Sequence, residues 1–185
     1  MKYLWFVVVA LAAMLLVIGG CKKDTPGNDM LGQAKGQVAG LTWSVPKSWT
    51  VGPEKQMRAA TYLVAPQSGD AEGGECAIFH FGQGVGGDIE SNVARWVSQF
   101  EQTDGPKNES KEVNGMKVTI VQIAGTYLAP SGPMMMASGK KENFRLRGAI
   151  VEGPQGSVFF KFTGPTKTVA AASAEFDAMI GSLVK

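Results

Sequence analysis

Three consecutive methionines, Met134, Met135 and Met136, are the least ordinary residues in this sequence that could take part in chemistry. Thioether sulfurs are soft ligands that suit Cu(I), so the run could handle copper. Methionine side chains are also apolar and adaptable, which suits contact with a partner protein. A third interpretation is a loop folded over a sheet edge that buries one or two of the three. The sequence leaves these interpretations open, and we state partner contact as a hypothesis.

Cys76 and His80, the single histidine, lie four residues apart in a segment that predicts a strand. At a rise of about 3.3 Å per residue the two residues are roughly 13 Å apart, so they cannot act on each other as a catalytic dyad. We expect Cys76 to be a small buried hydrophobic residue. No catalytic residue can be nominated, and a hydrolase-type enzyme using His80 stays an alternative to a protein without enzymatic activity.

The glycines Gly82, Gly84 and Gly87 fit the pattern G-x-G-x-x-G. A dinucleotide site of that type needs a parallel βαβ unit, whereas the later strands here predict a hairpin. Asp88 would also put negative charge where a phosphate binds. A glycine-rich turn with positive φ is the simpler interpretation. We therefore predict neither a cofactor nor a metal site.

The N-terminus indicates a different chemistry, the acylation of a thiol. Lys2 precedes an apolar run over residues 4–18, and Ile18-Gly19-Gly20-Cys21 resembles the bacterial lipobox. The run is about 15 residues long, which is short of the roughly 20 that span a membrane. We predict a signal peptide over residues 1–20 and a lipid, such as palmitate, on Cys21. Because Lys22 follows Cys21, the resemblance to a lipobox implies that the lipid anchors the chain in the outer membrane, facing the periplasm.

The length and composition of the chain predict one domain of ordinary size after the signal peptide. The chain has 185 residues and a formal net charge of +2, so no basic field is available for nucleic acid. Residues 21–37 are polar and lack apolar periodicity, which predicts a flexible tether. Residues 38–185 then form a single domain. With Cys21 carrying lipid, Cys76 has no partner for an intramolecular disulfide.

Alternating apolar residues predict strands, and two stripes at helical spacing predict helices. A helix capped by Asp88 ends near Gln102, and a last helix follows Pro165. Residues 103–114 are predicted as a polar connection and residues 129–143 as a loop. Gly153-Pro154-Gln155-Gly156 predicts a turn between two strands of a hairpin. Strands are predicted at residues 40–46, 57–64, 75–81, 116–128, 144–152 and 157–163.

These elements predict the α+β class, with a largely antiparallel sheet. Several strands carry apolar residues on both faces, so each face needs a cover. The two helices must supply that cover, either one on each face or both on one face with loops opposite.

The domain resembles the PsbP-like domains, including the bacterial DcrB-type lipoproteins. The resemblance rests on Trp43-x-x-Pro46-x-x-Trp49 and on the closing stretch over residues 159–165, which precedes a helix containing Phe176-Asp177. It implies an antiparallel sheet sandwiched between helices. It also implies a non-enzymatic binding or accessory domain with an unknown ligand. The partners we expect are the membrane, through the lipid on Cys21, and an envelope protein.

Overall fold

The structure, a computed structural model, describes residues 34–131 and 136–185. Its α+β class and its antiparallel sheet between helices confirm the sequence prediction. The helices of the described residues are α1 (Ile89–Val97), α2 (Thr166–Ala171) and α3 (Ser173–Gly181). The strands are β1 (Lys35–Val38), β2 (Leu41–Ser44), β3 (Thr50–Val51), β4 (Ala60–Val64), β5 (Gly74–His80), β6 (Phe100–Glu101), β7 (Lys107–Val113), β8 (Met116–Ser131), β9 (Met136–Gly153) and β10 (Gly156–Pro165).

One large sheet organises the fold. Its strands follow the order β3-β4-β5-β10-β9-β8-β6, and β7 pairs with β8 beside β6. Every pair in it is antiparallel. The predicted turn Gly153–Gly156 joins β9 to β10, with Gly153 opposite Gly156. β1 and β2 form a separate two-stranded sheet.

The first face of the sheet, here called the hairpin face, is covered by β1, β2, α2 and α3. Strand alternation sends Val158, Phe160 and Phe162 of β10 into this layer. Phe160 meets the Trp43 ring edge-on at 5.1 Å, and Phe176 of α3 stacks on Phe162 at 6.0 Å. These rings belong to the single hydrophobic core of the hairpin face.

On the opposite face, here called the α1 face, α1 is the only helix among the described residues. Asp88 caps this helix as predicted, because its Oδ1 accepts a 2.6 Å hydrogen bond from the Ser91 backbone N–H. Trp96 lies against Gly148 of β9, where a Cβ would stand 2.3 Å from the ring. The helix can therefore approach the sheet only because residue 148 is glycine.

Two predicted irregular segments are in fact paired strands. The predicted connection over residues 103–114 contains β7, which forms a hairpin with β8 through Asn114 and Gly115. Both turn residues have positive φ, 46° and 71°, as a type I′ hairpin requires. Much of the predicted loop over residues 129–143 belongs to β8 and β9, which pair as far as Ser131 and Met136. Polar composition concealed the first hairpin, and Pro130, Gly132 and Pro133 indicated a loop at the second.

The predicted tether and the predicted last helix also need correction. Lys35, Gly36 and Gln37 fall within the predicted tether but pair with β2, and Gly36 lies under the Trp43 ring. The domain therefore starts earlier than residue 38. The last helix is divided at Ala172 into α2 and α3. In the described residues, no helix is long and apolar enough to cross a membrane.

Candidate functional site

Cys76 and His80 lie on the same side of β5, as predicted, but in different surroundings. Cys76 is fully buried in the hairpin-face core, and burial raises the pKa of its thiol. His80 is half-buried, and its Nδ1 lies 3.2 Å from the Ser157 carbonyl oxygen. The thiol is thus a packing group, and the contact found for the imidazole is to backbone.

The glycine-rich segment between β5 and α1 is a turn. Gly82, Gly84 and Gly87 have φ values of 103°, 72° and 81°, so each adopts a conformation that other residues rarely do. The helix that follows leads into β6, which pairs antiparallel with β8. The parallel βαβ unit that a dinucleotide needs is not formed by these elements.

The remaining residues singled out in the sequence fall largely outside the described residues. Cys21, Met134 and Met135 lie there, and so does the signal peptide over residues 1–20. Met136 is the first residue of β9, opposite Ser131. Their proposed roles therefore stay predictions.

The structure draws attention instead to Lys161, which projects from β10 onto the α1 face. Its ammonium group donates hydrogen bonds to Gln99 Oε1 at 2.5 Å and to the Tyr127 hydroxyl at 3.3 Å. It also lies 5.4 Å from the centroid of the Tyr127 ring. Tyr127 in turn stacks on Phe144 at 5.8 Å. A partly buried lysine thus joins the end of α1 to an aromatic cluster on the sheet.

Burial and, to a smaller extent, the positive charge of Arg58 lower the pKa of Lys161 to about 8, against the opposing effect of Glu75. Among the described residues, no carboxylate forms a salt bridge with it. The amine can therefore gain or lose a proton near neutral pH, yet its hydrogen-bond partners are uncharged oxygens. Sequence analysis missed this residue, although a lysine inside Phe159-Phe160-Lys161-Phe162 was a visible signal.

A cluster of charged side chains flanks Lys161, with Glu75 on β5 and with Lys55 and Arg58 in the segment before β4. Glu75 accepts from Lys55 at 2.6 Å and from Arg58 at 2.8 Å. Burial raises the pKa of Glu75, but the hydrogen bonds and charges of Lys55 and Arg58 outweigh it and hold the pKa below its usual value. Arg58 also lies 5.8 Å from the centroid of Phe79. The single carboxylate of Glu75 is thus shared by two cations, which leaves the cluster with a net charge of +1.

An open groove of about 670 Å³ lies between α1 and the β7–β8 hairpin. One wall is the apolar side of α1, and the floor carries polar residues of the two strands. No group of three or more histidine, cysteine or acidic side chains in the described ranges could hold a metal ion. The groove is lined by Ile89, Glu90, Val93, Ala94, Val97, Ser98, Pro106, Asn108, Ser110, Lys117 and Thr119.

Comparison with known proteins identifies the fold and no more. The structure is similar to cyanobacterial PsbP (CyanoP) from Synechocystis sp. PCC 6803, with a TM-score of 0.52 and 10% identity over 90% of this chain and 98% of that chain. PA94 from Pseudomonas aeruginosa, a protein of unknown function, aligns with a TM-score of 0.43 and 15% identity over 83% of this chain and 96% of that chain. No family model and no curated protein matches the sequence. The predicted PsbP-like fold is confirmed.

Proposed function

We propose that this chain is a bacterial envelope lipoprotein of the DcrB type, whose PsbP-like domain binds a partner protein without catalysing a reaction. The fold supports an accessory domain, because the known likeness is to a PsbP protein. The lipobox-like Ile18-Gly19-Gly20-Cys21 supports the membrane attachment. Nucleic acid is not an expected ligand, because the net charge of the chain is only +2.

The observation that carries the proposal is the lining of the groove beside α1. Its helix wall presents Ile89, Val93 and Val97, and Glu90 and Lys117 are the charged residues of the lining. An open groove with an apolar wall and a polar floor suits an amphipathic protein segment. Catalysis would instead need a nucleophile beside a general base, but this lining holds no histidine or cysteine, and its lysine, Lys117, pairs with Glu152 outside the groove.

A site-specific photo-crosslinker at Ala94 tests this surface. Ala94 is exposed in the groove, whereas Ala170 is exposed on α2 at the hairpin face and serves as the matched control. Irradiation of cells should give a discrete adduct with an envelope protein from position 94 and none from position 170. Adducts of equal yield from the two positions, or from neither, would contradict binding in the groove.

Lipid attachment is tested separately. Cys21→Ala should abolish incorporation of labelled palmitate and leave the precursor uncleaved, and the parent protein should fractionate with the outer membrane. Equal label in the parent and the variant would refute the lipid anchor, while leaving the groove proposal intact.

Met134, Met135 and Met136 are a further partner-contact hypothesis, because adjacent residues in a chain project in different directions and at least one should be exposed. Replacing all three by serine should cost about 1 kcal/mol or less and weaken the Ala94 adduct. A larger loss of stability would place these side chains in the core. Copper handling by this run remains the competing proposal, and a Cu(I) titration of the same variant distinguishes the two.

A further inference from the structure

The outer edge of β7 is the second feature that points to a partner. β7 pairs with β8 along its full length, Lys107 to Gln122 through Val113 to Met116. Its other edge pairs with no strand in the described part of the chain. An edge strand of seven residues leaves backbone N–H and C=O groups free to pair with another strand.

The hairpin geometry fixes which backbone groups face outward. A two-residue I′ turn makes its flanking residues, here Val113 and Met116, a hydrogen-bonded pair. Hydrogen-bonded pairs then alternate along an antiparallel ladder, so Lys111, Glu109 and Lys107 also direct their backbone groups toward β8. The outward groups belong to Asn108, Ser110 and Glu112. A second strand must form its hydrogen-bonded pairs with these three residues.

Charge decides between the three registers centred on Glu109, Ser110 and Lys111, in the middle of β7. If a second copy of β7 pairs antiparallel about Glu109 or Lys111, like charges lie directly opposite each other, which is destabilising. If it pairs about Ser110, Glu109 lies opposite Lys111 of the second copy, and the converse pair forms by symmetry. These contacts fall at non-hydrogen-bonded positions, where side chains are closest. Glu109 and Lys111 form no salt bridge within the described residues.

The same register gives the greatest overlap. Ser110 is the central residue of β7, which runs from Lys107 to Val113, so pairing about it matches the strand along its whole length. Asn108 then lies opposite Glu112, and the amide can donate to the carboxylate. The backbone pattern, the charged pairs and the length of the overlap therefore all favour a twofold axis at Ser110.

We propose that β7 is a self-association edge, through which two copies of this chain pair antiparallel about Ser110 and join their sheets into one. The interface is isologous, as a twofold dimer requires. Because the contact is a single strand with charged pairs, the dimer is weak and is weakened further by salt.

The main test is charge reversal. The dimer dissociation constant of the full chain is measured by sedimentation in density-matched detergent, over a series of protein concentrations. Glu109→Lys and Lys111→Glu should each raise the dimer dissociation constant about tenfold or more, because each places two like-charge pairs in the interface. The double variant, and an equimolar mixture of the two single variants, should restore association. Lys167→Glu, an exposed charge reversal on α2, is the control and should change nothing.

Cysteine cross-linking tests the register. A chain with Glu109→Cys mixed with a chain with Lys111→Cys should form an intermolecular disulfide, because those positions lie directly opposite. Either variant alone should form much less, and the parent gives the background from its own cysteines. Ser110→Cys should cross-link by itself.

Melting temperatures unchanged from the parent establish that the variants fold, as expected for exposed positions. A chain that stays monomeric at every concentration would overturn the proposal. A dimer whose dissociation constant is unchanged by Glu109→Lys and by Lys111→Glu would also overturn it. The same holds if chains with a single introduced cysteine at position 109, 110 or 111 cross-link with themselves equally well.

Discussion

The two faces of the sheet are built differently although they share the same strands. The hairpin face is covered by two helices and a two-stranded sheet, and its core includes Trp43, Phe160, Phe162 and Phe176, each almost completely buried. The α1 face is covered by one nine-residue helix. It holds the partly buried Lys161 and leaves an open groove of about 670 Å³.

Under the proposed function, this difference separates stability from recognition. Packed aromatic rings on the hairpin face supply apolar burial, which is the dominant favourable term in folding. The α1 face contains less apolar surface and retains groups that can respond to a partner or to pH, namely the groove and Lys161. We expect mutations on the hairpin face to lower stability most, and mutations on the α1 face also to change how stability depends on pH.

The largest expected effect compares two neighbouring residues of β10. Phe160 points into the hairpin face and Phe159 into the α1 face, with exposed fractions of 0% and 2%. Phe160→Ala should lower the free energy of unfolding by about 4 kcal/mol, and Phe159→Ala by about 3 kcal/mol. The second cost is smaller because Phe159 packs against the half-buried Phe81, which can move to fill the space.

Urea denaturation measures the two values on one chain background. Equal losses for Phe159→Ala and Phe160→Ala, or a larger loss on the α1 face, would contradict the distinction between the faces. The comparison is well matched because the two positions share residue type, strand and burial.

The next effect concerns pH and Lys161. Its pKa is about 8 in the folded chain against 10.5 as its ordinary value, so between those values the unfolded chain binds more protons and stability rises with pH. Relative to Lys161→Met, the parent should gain about 1 kcal/mol between about pH 7 and pH 9. The pKa of Cys76 is raised in both proteins and cancels in the difference.

Stability curves of the parent and of Lys161→Met at several pH values measure this gain. Lys117→Met, a change at an exposed lysine, is the control and should run parallel to the parent. Parallel curves for Lys161→Met would mean that Lys161 keeps an ordinary pKa and that the α1 face is not pH-sensitive.

The smallest expected effect is on the hairpin face, where Arg147 of β9 holds Asp177 of α3 through two hydrogen bonds from its Nη2 at 2.7 Å and one from its Nε at 3.0 Å. Arg147→Lys keeps the charge but loses the planar fork. We expect a loss of about 0.5 kcal/mol, because the pair is partly exposed. Thermal melting at low and high salt checks it, and an effect as large as that of Phe160→Ala would show that polar contacts hold this face.

Sequence patterns were sufficient to predict the elements that bury one face, and the helix that is capped by the residue directly before it. The stripe of α1, its Asp88 cap and the alternation of β5 follow directly from residue type and spacing. β7 was missed because Lys-Asn-Glu-Ser-Lys-Glu-Val has no apolar alternation, and its pairing comes from the neighbouring β8. Asn114-Gly115 was the available signal, since this dipeptide favours I′ hairpins.

The candidate sites show a different limit. Lys161 becomes unusual only when Gln99 and Tyr127 approach it from distant parts of the chain. The groove likewise depends on the distance between α1 and β7. This distance cannot be predicted from the spacing of residues along the sequence. What the sequence did indicate, Cys21 and the first two methionines of the run, lies outside the described residues and awaits the experiments above.

The pairing of β8 with β9 beyond the body of the sheet has a kinetic consequence. β10 accompanies β9 only as far as Phe144, and β6 accompanies β8 only at Thr126 and Tyr127. Past Leu128 each of the two strands has the other as its paired neighbour, with a register shift before Pro130. Two strands alone are marginally stable in water. Amide protons there should exchange with solvent through local opening, at rates independent of global unfolding, while those of β10 exchange only when the whole domain opens.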